Sequence, residues 1–140
     1  MTYKQWFHDF QAKHTSIVAK LSQQNYTQEE IINYFDFDNM KVKEPNFCPL
    51  YAQNKKCHEM ENLNCYLCAC PHFRFDDAGI EIKESFTIFS KCTINKGDTF
   101  THEHSIHHDC SSCEIPHDRE YISKVFKPEW EKIMSKCNLG

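Results

Sequence analysis

The chain has 140 residues, the length of one ordinary domain, and its 40% hydrophobic and 14% aromatic content is globular, not disordered. A formal net charge of -4 with scattered lysines leaves no basic stripe, which argues against nucleic-acid binding. Three glycines and no Gly-x-Gly-x-x-Gly or Walker pattern exclude a Gly-rich phosphate loop.

Nowhere does the sequence carry the run of ~18 apolar residues that a membrane span needs, and its first residues lack the apolar core of a signal peptide. The expectation is a cytoplasmic protein with no membrane contact. In that reducing compartment nine cysteines are thiols and metal ligands before they are disulfides.

The first element is a helix. Trp6, Phe7, Phe10, His14, Ile17, Val18 and Leu21 recur at three- and four-residue spacing along one face. A second helix begins at Thr27, which with Glu30 makes a capping box, and Tyr26 and Ile31 stand where a hydrophobic staple packs. Ile32, Phe35 and Met40 continue its apolar side, and Glu44-Pro45 ends it. The stripes are expected to pack on the rest of the chain. A docking surface for an unknown protein partner is the alternative use of this helical region.

Residues 46–72 hold five cysteines and little regular pattern, so metal is expected to organise this stretch. Residues 73–104 look β-like. Phe73-Arg74-Phe75 and Ile80-Glu81-Ile82 flank Asp76-Asp77-Ala78-Gly79 as a hairpin. Phe86 to Phe89 and Thr99 to Thr101 are further strands, with Asn95-Lys96-Gly97-Asp98 as the turn between them. Asp118 caps a helix carrying Tyr121, Ile122, Val125 and Phe126. Pro128 opens another with Trp130, Ile133, Met134 and Cys137. The fold class is therefore α+β: a small metal-organised cysteine-rich module with a short antiparallel β segment, flanked by an N-terminal helical pair and C-terminal helices. Residues 1–45 form the helical region and residues 46–140 the module, packed as one unit.

Two Cys-x-x-Cys loops stand out, Cys65/Cys68 and Cys110/Cys113. Such loops point two sulfurs at one centre, and two of them supply the four tetrahedral ligands of zinc. The simplest site joins these four. Cys57, Cys70 and His117 are the next candidate ligands, and with Cys48 and Cys92 they suffice for a second site, with sequential and crossed pairings both open. Cys137 is expected to be a buried structural thiol. His58 and His72 flank cysteines as ligands or as partners of ligands. His102, His104, His107 and His108 read as an exposed polar loop, with an exchangeable metal site as the alternative. No acid–base constellation accompanies the thiols, so an enzyme is the least supported class.

The strings Cys57-His58, Asn64-Cys65-Tyr66-Leu67-Cys68-Ala69-Cys70-Pro71 and Asp109-Cys110-Ser111-Ser112-Cys113-Glu114-Ile115-Pro116-His117 resemble the cysteine-rich small domain family of bacteria and archaea. The resemblance runs over about residues 46–125 and implies a metal-binding module. Family members fused to cobalamin-related proteins imply a link to metal or cofactor metabolism. Cys92 and Cys48 match further family cysteines. The helical N-terminal extension and the long insert between the cysteine groups depart from the pattern and give this chain the look of a stand-alone form. Together these readings give a zinc-binding protein in a structural or metal-handling role. An iron–sulfur protein is the alternative, since Cys70-Pro71 resembles the end of cluster-binding runs.

Overall fold

In the computed structural model, which describes residues 2–140, three α-helices precede a short β region in the chain and two follow it. Helix α1 (Tyr3–Gln23) starts on Thr2, whose hydroxyl accepts from the Gln5 amide at 3.1 Å. Its periodic face is the one buried, through Phe10, His14, Ile17, Val18 and Leu21. The capping box at Thr27 is formed: the Glu30 amide donates to the Thr27 hydroxyl and the Glu30 carboxylate accepts from the Thr27 amide.

The single second helix expected from the sequence is two helices, α2 (Gln28–Tyr34) and α3 (Phe37–Lys43). The break at Phe35–Asp36 is held by a segment far along the chain. Phe35 carbonyl accepts from the Cys65 amide at 2.8 Å, the Phe37 amide donates to Leu63 carbonyl at 2.9 Å, and Asp36 forms a bridge with Asn64. Backbone groups that would have continued the helix are thus spent on fixing residues 63–65.

The β region differs from the expected hairpin. Strand β1 (Phe73–Phe75) pairs not with β2 (Glu81–Lys83) but with β4 (Ser90–Cys92), antiparallel. A second sheet has the order β2-β3-β6-β5, with β3 at Phe86–Ile88, β5 at Asp98–His102 and β6 at Ser105–Asp109. Its β3–β6 pairing is parallel and the others antiparallel. The histidine-rich tract expected as a loop is therefore mostly the β5–β6 hairpin, with the ladder running from Asp98↔Asp109 to His102↔Ser105. The turn expected at Asn95–Asp98 falls earlier, at Thr93–Ile94 with the Asn95 amide donating to Cys92 carbonyl, and a bend at Gly97 leads into β5. Gly97 sits at φ +80°, where an added Cβ would stand 2.5 Å from the Asp109 carbonyl oxygen.

Asp118 caps α4 (Arg119–Val125) by accepting from the Tyr121 amide at 3.0 Å. The last helix, α5 (Trp130–Ile133), is one turn long and starts at Trp130, not Pro128. Beyond it the tail runs beside β1: the Phe75 amide donates to Cys137 carbonyl and the Leu139 amide to Phe75 carbonyl.

The core sits between α1, α2, α3, α5 and the buried run Leu63 to Leu67. Trp130, Tyr66, Phe35, Leu67 and Leu21 lie at its centre. Trp130 Nε1 donates to Leu67 carbonyl at 2.9 Å and Tyr66 hydroxyl to Lys127 carbonyl at 2.6 Å. These bonds clamp the Cys65–Cys68 loop between the N-terminal and C-terminal helices. Among the described residues no helix is long and apolar enough to cross a membrane.

Candidate metal centre

All nine cysteines are free thiols. The closest set of ligand-type atoms is Cys57 Sγ with one ring nitrogen each from His58 and His117, all within 4.8 Å of one another. Among the described residues no other group of three or more such atoms is as tight.

The two imidazoles are held by backbone carbonyls. His117 Nδ1 lies 2.9 Å from Asn64 carbonyl and His58 Nε2 lies 3.0 Å from Cys110 carbonyl. A carbonyl only accepts, so each of those nitrogens carries the proton. The lone pairs are left on His117 Nε2 and His58 Nδ1, which stand 3.6 Å and 3.1 Å from Cys57 Sγ. A ring nitrogen tied to a carbonyl while the other faces a thiol is the arrangement of metal-ligating histidines. His117 is buried, and burial first, then the neighbouring His58, holds its pKa below the usual imidazole range, against the bond to Asn64. The ring therefore stays neutral, the form a metal needs.

Asn64 positions this arrangement. It is fully buried, its amide side chain donates to Ile32 carbonyl at 2.7 Å and to Asp36 Oδ1 at 2.8 Å, and its Oδ1 accepts from the Tyr66 amide at 2.8 Å. Its backbone carbonyl orients His117, and its amide donates to His117 carbonyl. The break between α2 and α3 thus reaches the ligand set through one side chain.

The remaining thiols fall into two groups. Cys48, Cys65 and Cys68 adjoin Cys57. Cys57 is pushed up to about 11, by burial first and then by charge at Cys65 and Cys48. Cys68 is raised well above the usual thiol range because it donates to Cys65, and Cys65 is correspondingly lowered. The second group is Cys70, Cys92, Cys110 and Cys113, which line one void of about 10 Å³, room for a single small ion or water. Burial pushes Cys70 up to about 11 and Cys110 up to about 12, with the other thiols of the group adding to the effect. The backbone N–H of His72 opposes it at Cys70.

The two Cys-x-x-Cys loops, expected to share one centre, do not form one tight donor set: Cys110 and Cys113 line the small void with Cys70 and Cys92, while Cys68, Cys70 and Cys110 share the wall of a larger cavity. Cys68 and Cys70 are two residues apart, and only Cys70 lines the small void. Cys68 adopts φ 45°, a left-handed conformation rare for a side chain of this kind, so the chain turns sharply between them. The Ala69 amide closes the turn on Leu67 carbonyl.

Each group also has an orphaned polar atom. Tyr51 Oη is buried with no hydrogen-bond partner, and its own pKa is raised, by burial first and then by Cys65. His108 Nε2 is buried without a partner in the wall of the second void. Orphaned buried donors beside thiols are costly, and beside metal-bound thiolates they become hydrogen bonds to sulfur. The donor set therefore fits divalent metal: soft thiolates, neutral imidazoles, and waiting hydrogen-bond donors behind them.

Residue by residue, Cys57 and His117 enter the tightest donor set, Cys48, Cys65 and Cys68 lie outside it, and Cys70, Cys92, Cys110 and Cys113 line the second void. His58, left open in the sequence between ligand and partner of a ligand, enters the tightest set; its adjacency to Cys57 was the signal. Asn64 carried no signal except its place before Cys65. Cys137 is buried apart from both groups and donates to Cys70 carbonyl at 3.5 Å. In the histidine tract, His107 Nδ1 bonds Tyr3 hydroxyl at 2.5 Å, while His102 and His104 are exposed.

Comparison of the chain with protein-family models, with curated proteins and with solved structures gave no match.

Proposed function

We propose that the protein binds zinc through two Cys/His centres, in a structural or metal-handling role. The observation that carries this reading is the convergence of Cys57 Sγ, His58 Nδ1 and His117 Nε2, with both rings fixed by carbonyls on their far side. Mixed sulfur and nitrogen donors at tetrahedral spacing suit zinc, at about 2.3 Å to sulfur and about 2.0 Å to nitrogen. Cys48, Cys65 and Cys68 lie outside this tight set. Cys70, Cys92, Cys110 and Cys113 form the second centre.

The strings around Cys57, Cys65–Cys70 and Cys110–His117 support membership of the cysteine-rich small domain family, and with it a place in metal or cofactor metabolism. A protein partner on the helical region would meet the outward faces of α1 to α3, where Val42 is 70% exposed, since the inward faces are spent in the core.

A second reading has its own observation: four thiols, Cys70, Cys92, Cys110 and Cys113, line the second void, a set that suits an iron–sulfur cluster. Elemental analysis with an absorption spectrum on protein purified without oxygen separates the two. One or two zinc per chain and no colour support the zinc reading. Iron with acid-labile sulfide and a broad band near about 400 nm transfers the second centre to the iron–sulfur reading.

A further inference from the structure

The strongest feature outside the ligand set is a cavity of about 480 Å³ that opens beside it. Its far wall is aromatic, built by Tyr3, Trp6 and Phe7 of α1 with Phe73 and Phe75 of β1. Its near wall includes Cys57, His58 and His117, all three members of the tightest donor set. A volume in the range of small-molecule sites, an apolar lining and a few converging polar atoms are the marks of a ligand pocket.

Coordination arithmetic says where such a ligand would attach. Cys57, His58 and His117 offer three donors, and no fourth ligand-type atom joins them within 4.8 Å among the described residues. A tetrahedral ion on three protein donors keeps one position for an outside ligand. Because all three donors stand in the cavity wall, that position faces the cavity.

Resting on the reading of Cys57, His58 and His117 as metal ligands, we infer that this centre is an open site that binds a small aromatic molecule through a single lone-pair donor. The donor completes the coordination of the metal, and the ring lies against Trp6, Phe7 and Phe73. No covalent or redox step is involved.

The test uses the full chain loaded with cobalt(II) without oxygen and titrated with imidazole and with 4-phenylimidazole, which share a donor and differ by one ring. The cobalt bands to follow are those that Cys57→Ser or His58→Ala removes. Both probes are expected to shift them, with 4-phenylimidazole binding about tenfold to a hundredfold more tightly, the gain from burying one ring. Ala69→Phe, which places a ring in the same cavity, is expected to erase that preference with cobalt content unchanged. Trp6→Ala, at a position 40% exposed and so tolerant of truncation, is expected to reduce it.

Stoichiometric cobalt whose Cys57-dependent bands neither probe moves would mean a closed centre and overturn the inference while leaving the metal reading intact. Equal affinity for the two probes would remove the cavity from the account with the same consequence. Cobalt bands indifferent to both Cys57→Ser and His58→Ala would overturn the metal assignment itself, and the inference with it.

Discussion

The helical part of this molecule and its β region are held together by different means. From Phe10 to Leu67 the chain buries a continuous set of Phe, Ile, Leu, Met and Tyr side chains, closed by Trp130 and Met134. Residues 76–115, by contrast, contain a single buried residue, Ser90, and strands β2 and β5 are exposed along their whole length. Apolar burial at roughly 25 cal/mol per Å² stabilises the first region without help. The second has almost no such term, and a few short strand pairings do not hold a sheet by themselves. What the second region has is thiols: Cys92 at the end of β4, Cys110 just after β6 and Cys113 three residues on, all facing Cys70 across one void. On the proposed reading, metal bound by these thiols would cross-link the region where the core thins out.

That contrast can be broken outright by chelation. Metal binding in small domains supplies on the order of 10 kcal/mol of apparent folding energy. A chelator should therefore abolish hydrogen-exchange protection in β3, β5 and β6 and leave the middle of α1 protected. Equal protection of both regions in chelated protein would mean that the sheet stands alone.

Asn64 ties the helical region to His117, and Asn64→Ala is the next largest expected effect. It deletes two donated bonds and one accepted bond, all with the side chain fully buried, and leaves partners unsatisfied. A loss of about 2–4 kcal/mol in denaturant unfolding is expected, with weaker metal binding because the backbone carbonyl that orients His117 is held less firmly. A change below about 0.5 kcal/mol would remove Asn64 from the account.

His14 sharpens the helical side. It is fully buried among Phe10, Phe35, Tyr66 and Trp130, and neither ring nitrogen has a hydrogen-bond partner. Burial lowers its pKa to about 3, with the Tyr66 backbone offsetting a little of this. Of the four aromatic rings packed against it, Tyr66 carries the titratable group, and its hydroxyl is committed to Lys127 carbonyl. Above the unfolded value of about 6.5 the ring is neutral in both states and costs no proton work. As pH falls from about 6.5 towards 3 only the unfolded chain takes up the proton, so stability is lost progressively across that window. His14→Leu should stabilise the protein by about 1–2 kcal/mol at neutral pH and flatten the acid limb of its stability curve. A destabilised variant would show that the ring nitrogens have a partner after all.

Cys137→Ser is the smallest effect. The residue stands outside both thiol groups, and a serine hydroxyl can keep the bond to Cys70 carbonyl. Metal content should be unchanged and stability altered by about 1 kcal/mol or less. A lost metal equivalent would enlarge the ligand set.

Much of this was legible in the residues themselves. The buried face of α1, the capping box at Thr27 and the Asp118 cap are local signals, and each became the expected element. The break between α2 and α3 was not legible, because its cause is a set of bonds to Leu63, Asn64 and Cys65, some thirty residues away. Strand β1 met β4 and not its sequence neighbour for the same reason: pairing is a long-range choice. Strand β6 was hidden by its composition, Ser-Ile-His-His-Asp, which reads as polar loop. The cysteines as a ligand inventory were plain, but their division was not. Spacing pairs Cys65 with Cys68. It does not say that Cys68 is left-handed or that Cys70 lines a small void with Cys92, Cys110 and Cys113.

The most direct test of the account is X-ray absorption at the zinc edge on the zinc-loaded full chain, wild type beside His117→Ala. The account predicts a mixed sulfur and nitrogen shell in the wild type, with nitrogen scattering reduced in the variant. A purely sulfur shell, unchanged by the substitution, would contradict the assignment of Cys57, His58 and His117 as ligands of one metal.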